Sequence, residues 1–91
     1  MSAPVHAPRP DEAVTRDLLA FLQRRTRTQV AADVDLFGSG LVSSMFALEL
    51  VVHLETAFGV EVCGPDLRLD NFRTVEAMTA LVSRLRGGGD G

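Results

Sequence analysis

Lysine, isoleucine, tyrosine and tryptophan are missing from this 91-residue chain, and cysteine occurs once, at Cys63. A single cysteine excludes an internal disulfide and a cysteine-based zinc cluster, and it fits a reducing compartment. No apolar run approaches the roughly 18–20 residues of a membrane span, and Met1–Pro10 has no signal-peptide core. Without Ile, Tyr or Trp to favour strands, no sheet is expected, and the alternation Val60-Glu61-Val62 stands alone. A chain this short makes one compact core and leaves no room for a deep substrate cavity. The expectation is a single soluble, cytoplasmic domain with no membrane partner.

Charge is present, but unevenly placed. Nine Arg face twelve Asp and Glu for a net charge of −3. Residues 28–67 hold six acids (Asp33, Asp35, Glu49, Glu55, Glu61 and Asp66) and no Arg. The flanks carry all nine Arg with the other six acids, a net +3. An acidic middle between basic flanks disfavours nucleic acid and favours basic protein partners.

Three of the four prolines fall in residues 1–10, and residues 87–91 read Gly-Gly-Gly-Asp-Gly. Both ends are predicted to be disordered, because neither can offset its ordering entropy by burial. The domain is therefore placed at 11–86. Within it helical periodicity dominates. Pro10, Asp11 and Glu12 suit a helix start, and Arg24, Arg25 and Arg27 suit its last turn. Val14, Leu18, Phe21 and Leu22 share one face of that helix.

A second helix is expected from about Ser44 to Phe58, stopped by Gly59. Ala47, Leu50, Val51, Leu54 and Phe58 fall on its inner side. Glu49, His53 and Thr56 fall outside, flanked by Met45, Phe46 and Val52. Thr74 is a natural N-cap for a third helix carrying Val75, Met78, Val82 and Leu85. Pro65–Phe72 is long enough only for a short turn. The pattern predicts an all-α bundle of three main helices and one short one. Its core is expected to include Phe37, Leu41, Val51, Leu54, Phe58, Phe72, Val75 and Met78.

Catalytic and metal-binding arrangements find little support. His6 lies in the N-terminal segment and His53 on the outer stripe of the second helix, where it reads as a solvated residue. Neither is placed for a Ser-His-acid triad. Gly38-Ser-Gly40 lacks the length and the Lys of a phosphate-cradling loop. Asp33-Val-Asp35 begins like a calcium loop, but Phe37 takes the third ligand position and Ser44 stands where the bidentate Glu belongs. No catalytic residue and no metal ligand is assigned.

What stands out is Gly38-Ser-Gly-Leu-Val-Ser-Ser-Met45, two loop glycines followed by two serines at a helix start. Ser43 reads as the N-cap, and Ser44 as the first helical residue beside unpaired N–H donors. A phosphate ester on Ser44 would sit where the helix dipole favours negative charge. On spacing alone, two routine capping serines are the better explanation of the pair.

The wider stretch from Asp35 to Val62, opening Asp-Leu-Phe-Gly and closing Leu-Glu-Thr-Ala-Phe-Gly-Val-Glu-Val, resembles the acyl and peptidyl carrier protein family. Asn71-Phe-Arg-Thr-Val-Glu-Ala-Met78 resembles the start of that family's last helix. The resemblance spans Asp11 to Leu85. It implies a four-helix acyl-carrier-type bundle whose motif serine, Ser44 here, is esterified by 4′-phosphopantetheine through a phosphopantetheinyl transferase. It also implies that the domain carries an acyl thioester and catalyses nothing itself. Its partner face would hold Met45, Phe46, Glu49, Val52, His53 and Thr56. The family usually has Asp before the modified serine, where this chain has Ser43.

Gly64-Pro-Asp-Leu-Arg-Leu-Asp-Asn-Phe-Arg-Thr-Val75 looks most like discrete carriers of secondary metabolism. Among these, the chain is similar to carriers holding a glycerate-derived unit for hydroxymalonyl or methoxymalonyl extender units. That resemblance implies an acyl-loading enzyme, dehydrogenases acting on the carrier, and an acyltransferase or synthase, with the chain as a monomer. D-alanyl and other aminoacyl carriers share the Phe-x-x-Gly-Leu opening. A helical interaction module that is never modified is the remaining alternative.

Overall fold

The apolar repeat of the first segment forms α1 (Pro10–Thr26), with Asp11 and Glu12 in its first turn and Arg24 and Arg25 in its last. Each set of charges complements the helix dipole at its own end. Val14, Leu18 and Leu22 are buried as the periodicity predicts, and Phe21 is half-buried. The helix ends as Arg27 enters the left-handed region at φ 57°, its N–H donating to the Gln23 carbonyl at 2.7 Å. That position more often belongs to glycine.

The second helix, α2 (Phe46–Phe58), stops where expected: Gly59 adopts φ 67° and its N–H donates to the Glu55 carbonyl. The third, α3 (Val75–Gly87), starts after Thr74, whose Oγ1 accepts the Ala77 N–H at 2.9 Å as an N-cap. Two short 3₁₀ turns, Gly64–Asp66 and Leu69–Phe72, join α2 to α3. No strand occurs among the described residues, and the fold is all-α as the sequence predicts. The computed structural model describes residues 10–87. The remaining residues of the two ends predicted to be disordered lie outside that range. Pro10 and Gly87 are the outermost residues of α1 and α3. Among the described residues no helix is long and apolar enough to cross a membrane.

α1 packs along α3, and the second 3₁₀ turn packs on both α2 and α3. Across the α1–α3 seam the Thr15 and Thr79 hydroxyls lie 2.9 Å apart. Leu50, Leu54, Phe72, Val75, Met78, Leu81 and Val82 meet Leu18 and Leu22 in one core. Of the expected core residues, Phe37, Leu41, Val51 and Phe58 are only partly buried. Their places are taken by Val30, Leu36, Val42 and Val62, which reach inward from irregular segments.

The loop between α1 and α2 is long but tethered. Leu36 N–H donates to the Arg73 carbonyl at 2.8 Å, and the Glu76 N–H donates to the Ala32 carbonyl at 3.0 Å. These bonds fix the loop against the start of α3, and so fix the approach of the chain to α2.

Candidate functional site

Building upward from that loop, Asp35 organises the turn that leads to the two serines. Its Oδ1 accepts the N–H groups of Phe37 (3.2 Å) and Gly38 (2.8 Å), while Oδ2 faces Arg73 at 3.3 Å. A Cβ at position 38 would press on the Asp35 carboxylate and force it to shift, so glycine leaves room for this turn. The Gly38 N–H and, secondarily, the Arg73 guanidinium hold Asp35 below the usual carboxylate range, despite an opposing desolvation contribution. Asp35 is thus a turn-forming residue. No cluster of three or more His, Cys, Asp or Glu suited to a metal occurs among the described residues.

The serines follow on the exposed side of this turn. Ser43 and Ser44 are both exposed. The reading of Ser43 as N-cap is corrected by the structure. The cap position falls on Met45, whose backbone is already helical (φ −66°, ψ −26°) and whose side chain makes no capping bond. The Ser43 and Ser44 carbonyls accept the N–H groups of Phe46 (2.9 Å) and Ala47 (3.1 Å) in i→i+3 turns. The Ser43 hydroxyl makes no capping bond to any N–H of this turn. Ser44 accordingly sits in the tight turn ahead of α2 and not as its first residue.

Ser44, the serine singled out from the sequence, lies open to solvent. Its hydroxyl is exposed and makes no hydrogen bond among the described residues, where the N–H groups of Ser44 and Met45 also lack a protein acceptor. Unpaired N–H groups at the head of a helix suit an anion.

Beyond Ser44 the exposed side of α2 carries Met45 (77% exposed), Leu48 (68%) and Val52 (57%). Leu48 was not among the residues singled out from the sequence. Its spacing from Met45 and Val52, three and four residues, was sufficient to place it on their stripe. Glu49 and Thr56 are also exposed, but Glu49 pairs with Arg25 of α1. Phe46 is half-buried beneath the Arg25 guanidinium, 5.1 Å from its ring centroid, and 6.1 Å from the Phe21 ring.

His53 is the second correction. Its side chain is only 17% exposed, so it is not a solvated residue. The ring stacks on Phe21 at 4.0 Å, and Nε2 lies 2.7 Å from the Asp17 carboxylate. α1 therefore draws the histidine into the helix–helix seam. An open groove of about 430 Å³ runs along this seam, with Phe21, His53, Leu48 and Val52 in its lining.

Three packed helices, two connecting 3₁₀ turns and an exposed serine before the second helix agree with the carrier-type bundle that the sequence resembles. The family model described as phosphopantetheine attachment site matches residues 15–82, and the chain belongs to that family. A domain of this family bears 4′-phosphopantetheine covalently on a serine, works with phosphopantetheinyl transferases and biosynthetic enzymes, and has no catalysis of its own. A search of curated proteins finds no match to this chain.

Proposed function

We propose that residues 11–86 form an acyl carrier in which Ser44 bears the 4′-phosphopantetheine arm. The observation that carries this reading is the exposed Ser44 hydroxyl, without a hydrogen-bond partner among the described residues, in the turn before α2. When attached, the arm supplies a thiol on which an acyl group travels as a thioester. The chain's own residues hold that serine outward, through the Asp35 turn and the 3₁₀ approach to α2. Incubation with coenzyme A and a broad-specificity phosphopantetheinyl transferase should add one arm to the wild type and none to Ser44→Ala, read by intact mass. Modification of Ser44→Ala at Ser43 or Ser39 would overturn the assignment.

The cargo we propose is a glycerate-derived acyl unit, loaded and then oxidised on the carrier toward a polyketide-type extender in the cytoplasm, with the chain acting as a monomer. Support comes from the resemblance of the 40–55 and 64–75 segments to discrete carriers of secondary metabolism. Offering the arm-bearing protein to a glyceryl-loading enzyme and to an amino-acid-activating ligase separates the cargo classes. Exclusive charging with an amino acid would replace the extender-unit reading with an aminoacyl carrier.

A further inference from the structure

The chain leading to Ser44 is closed on itself by hydrogen bonds. Asp35 Oδ1 accepts the Phe37 and Gly38 N–H groups, and the Asp35 carbonyl accepts the Ser39 N–H at 2.9 Å. The Gly40 N–H donates to the Phe37 carbonyl, and the Val42 N–H returns to the Leu36 carbonyl, each at 3.1 Å. The Leu36 and Val42 side chains are buried at the two ends of this run. Residues 35–42 thus form one bonded body, and Ser44 stands two residues beyond it.

Two kinds of bond anchor that body at residue 73. The Leu36 N–H donates to the Arg73 carbonyl at 2.8 Å, a main-chain tether that any side chain would allow. The Arg73 guanidinium adds a second tie, to Asp35 Oδ2 at 3.3 Å. The same guanidinium donates twice to Asp70 Oδ1, at 3.2 Å from Nε and 3.0 Å from a terminal nitrogen. Asp70 belongs to the second 3₁₀ turn. One arginine therefore divides its donors between the loop before α2 and the segment after it, with the shorter bonds on Asp70.

We propose that Arg73 is a positioning residue for arm attachment. Through Asp35 it holds the 35–42 body in the arrangement that offers Ser44 to the transferase, and Asp70 competes for it. The proposal rests on the carrier reading. Arm transfer forms an Oγ–P bond at Ser44 and breaks the pyrophosphate P–O bond of coenzyme A, releasing adenosine 3′,5′-bisphosphate and the hydroxyl proton. Arg73 touches none of the reacting atoms, so its effect falls on how often the serine is correctly presented. A loop that leaves the competent arrangement lowers apparent affinity by the fraction lost and leaves the bound-state step alone.

The test measures initial rates of arm uptake by intact mass, on the full-length protein over a range of carrier concentrations. Arg73→Gln and Asp35→Asn should each raise KM about two- to fivefold at unchanged kcat, the scale of losing a partly exposed ion pair. The asparagine oxygen still accepts the Phe37 and Gly38 N–H groups, so that variant removes the charge and keeps the turn. The double variant should do no more than either change alone. Arg73→Lys should recover part of the loss, and Asp70→Asn, which frees the guanidinium for Asp35, should leave KM at or below the wild-type value. Ser43 and Ser44 amide resonances should shift in the same direction in Arg73→Gln and Asp35→Asn.

An unchanged KM in Arg73→Gln, a fall in kcat alone, or a raised KM in Asp70→Asn would each overturn the proposal. So would additive effects in the double variant, which would put Arg73 in direct contact with the transferase. If Arg73→Gln does not fold, Asp35→Asn and Asp70→Asn carry the same comparison through their opposite expected effects. Wild type that takes the arm while the variants match it removes the positioning role alone. Wild type that takes no arm on Ser44 removes the carrier reading, and this role with it.

Discussion

Asp35 and Arg73 join across 38 positions of sequence, with Oδ2 of one 3.3 Å from the guanidinium of the other. Asp70 holds Arg73 from its other side. The contact ties the turn before Ser44 to the start of α3. Asp35 ionises more readily in the folded protein, first because of the Gly38 N–H, so its contribution is present above its unfolded pKa of about 3.9. That contribution is lost as pH falls through the lower folded value. Asp35→Asn should therefore flatten the acid limb of a Tm-against-pH curve below about pH 4. An unchanged acid limb would place the dependence on other carboxylates.

The two helix starts should respond differently to the same kind of substitution. Thr74→Ala removes a bonded cap and should cost about 0.5–2 kcal/mol in chemical denaturation. Ser43→Ala removes a hydroxyl that caps nothing and should stay within about 0.5 kcal/mol. Its arm uptake should persist. A large loss at Ser43 would restore the capping role.

Leu54 and Leu48 lie on the same helix at opposite extremes of burial, 0% and 68% exposed. Leu54→Ala should cost about 2–5 kcal/mol, the range for a cavity in a packed core. Leu48→Ala should change stability by no more than about 0.5 kcal/mol. Paired urea titrations decide both.

His53→Ala should lose the stack on Phe21, about 0.5–1.5 kcal/mol beyond simple area burial. His53→Phe should recover most of that loss if stacking, rather than the Asp17 contact, holds the seam. Failure of the phenylalanine to rescue would assign the greater share to Asp17.

The helices were legible because each carries its own period, and two of their ends because Gly59 and Thr74 act locally. Val30, Leu36, Val42 and Val62 could not be found this way. They are buried from irregular chain, where no spacing marks the inward side. Ser43 misled because a cap needs a non-helical backbone at the cap position, and the i→i+3 turns put Met45 there with a helical one. His53 depended on Phe21 and Asp17 from another helix, a tertiary contact that a helical wheel omits. The charge count also needed the fold, since Arg25, Arg73 and Arg84 reach acids of the central stretch from distant positions.

Cys63 is exposed just before the first 3₁₀ turn, and it is the chain's only sulfhydryl. A colorimetric thiol titration of the bare polypeptide should count one reactive sulfur, and arm attachment should raise the count to two. Cys63→Ser sets that background to zero, so each equivalent of reagent then reports an uncharged arm. Loading with cargo can be followed as disappearance of colour, without a radiolabel or a mass spectrometer.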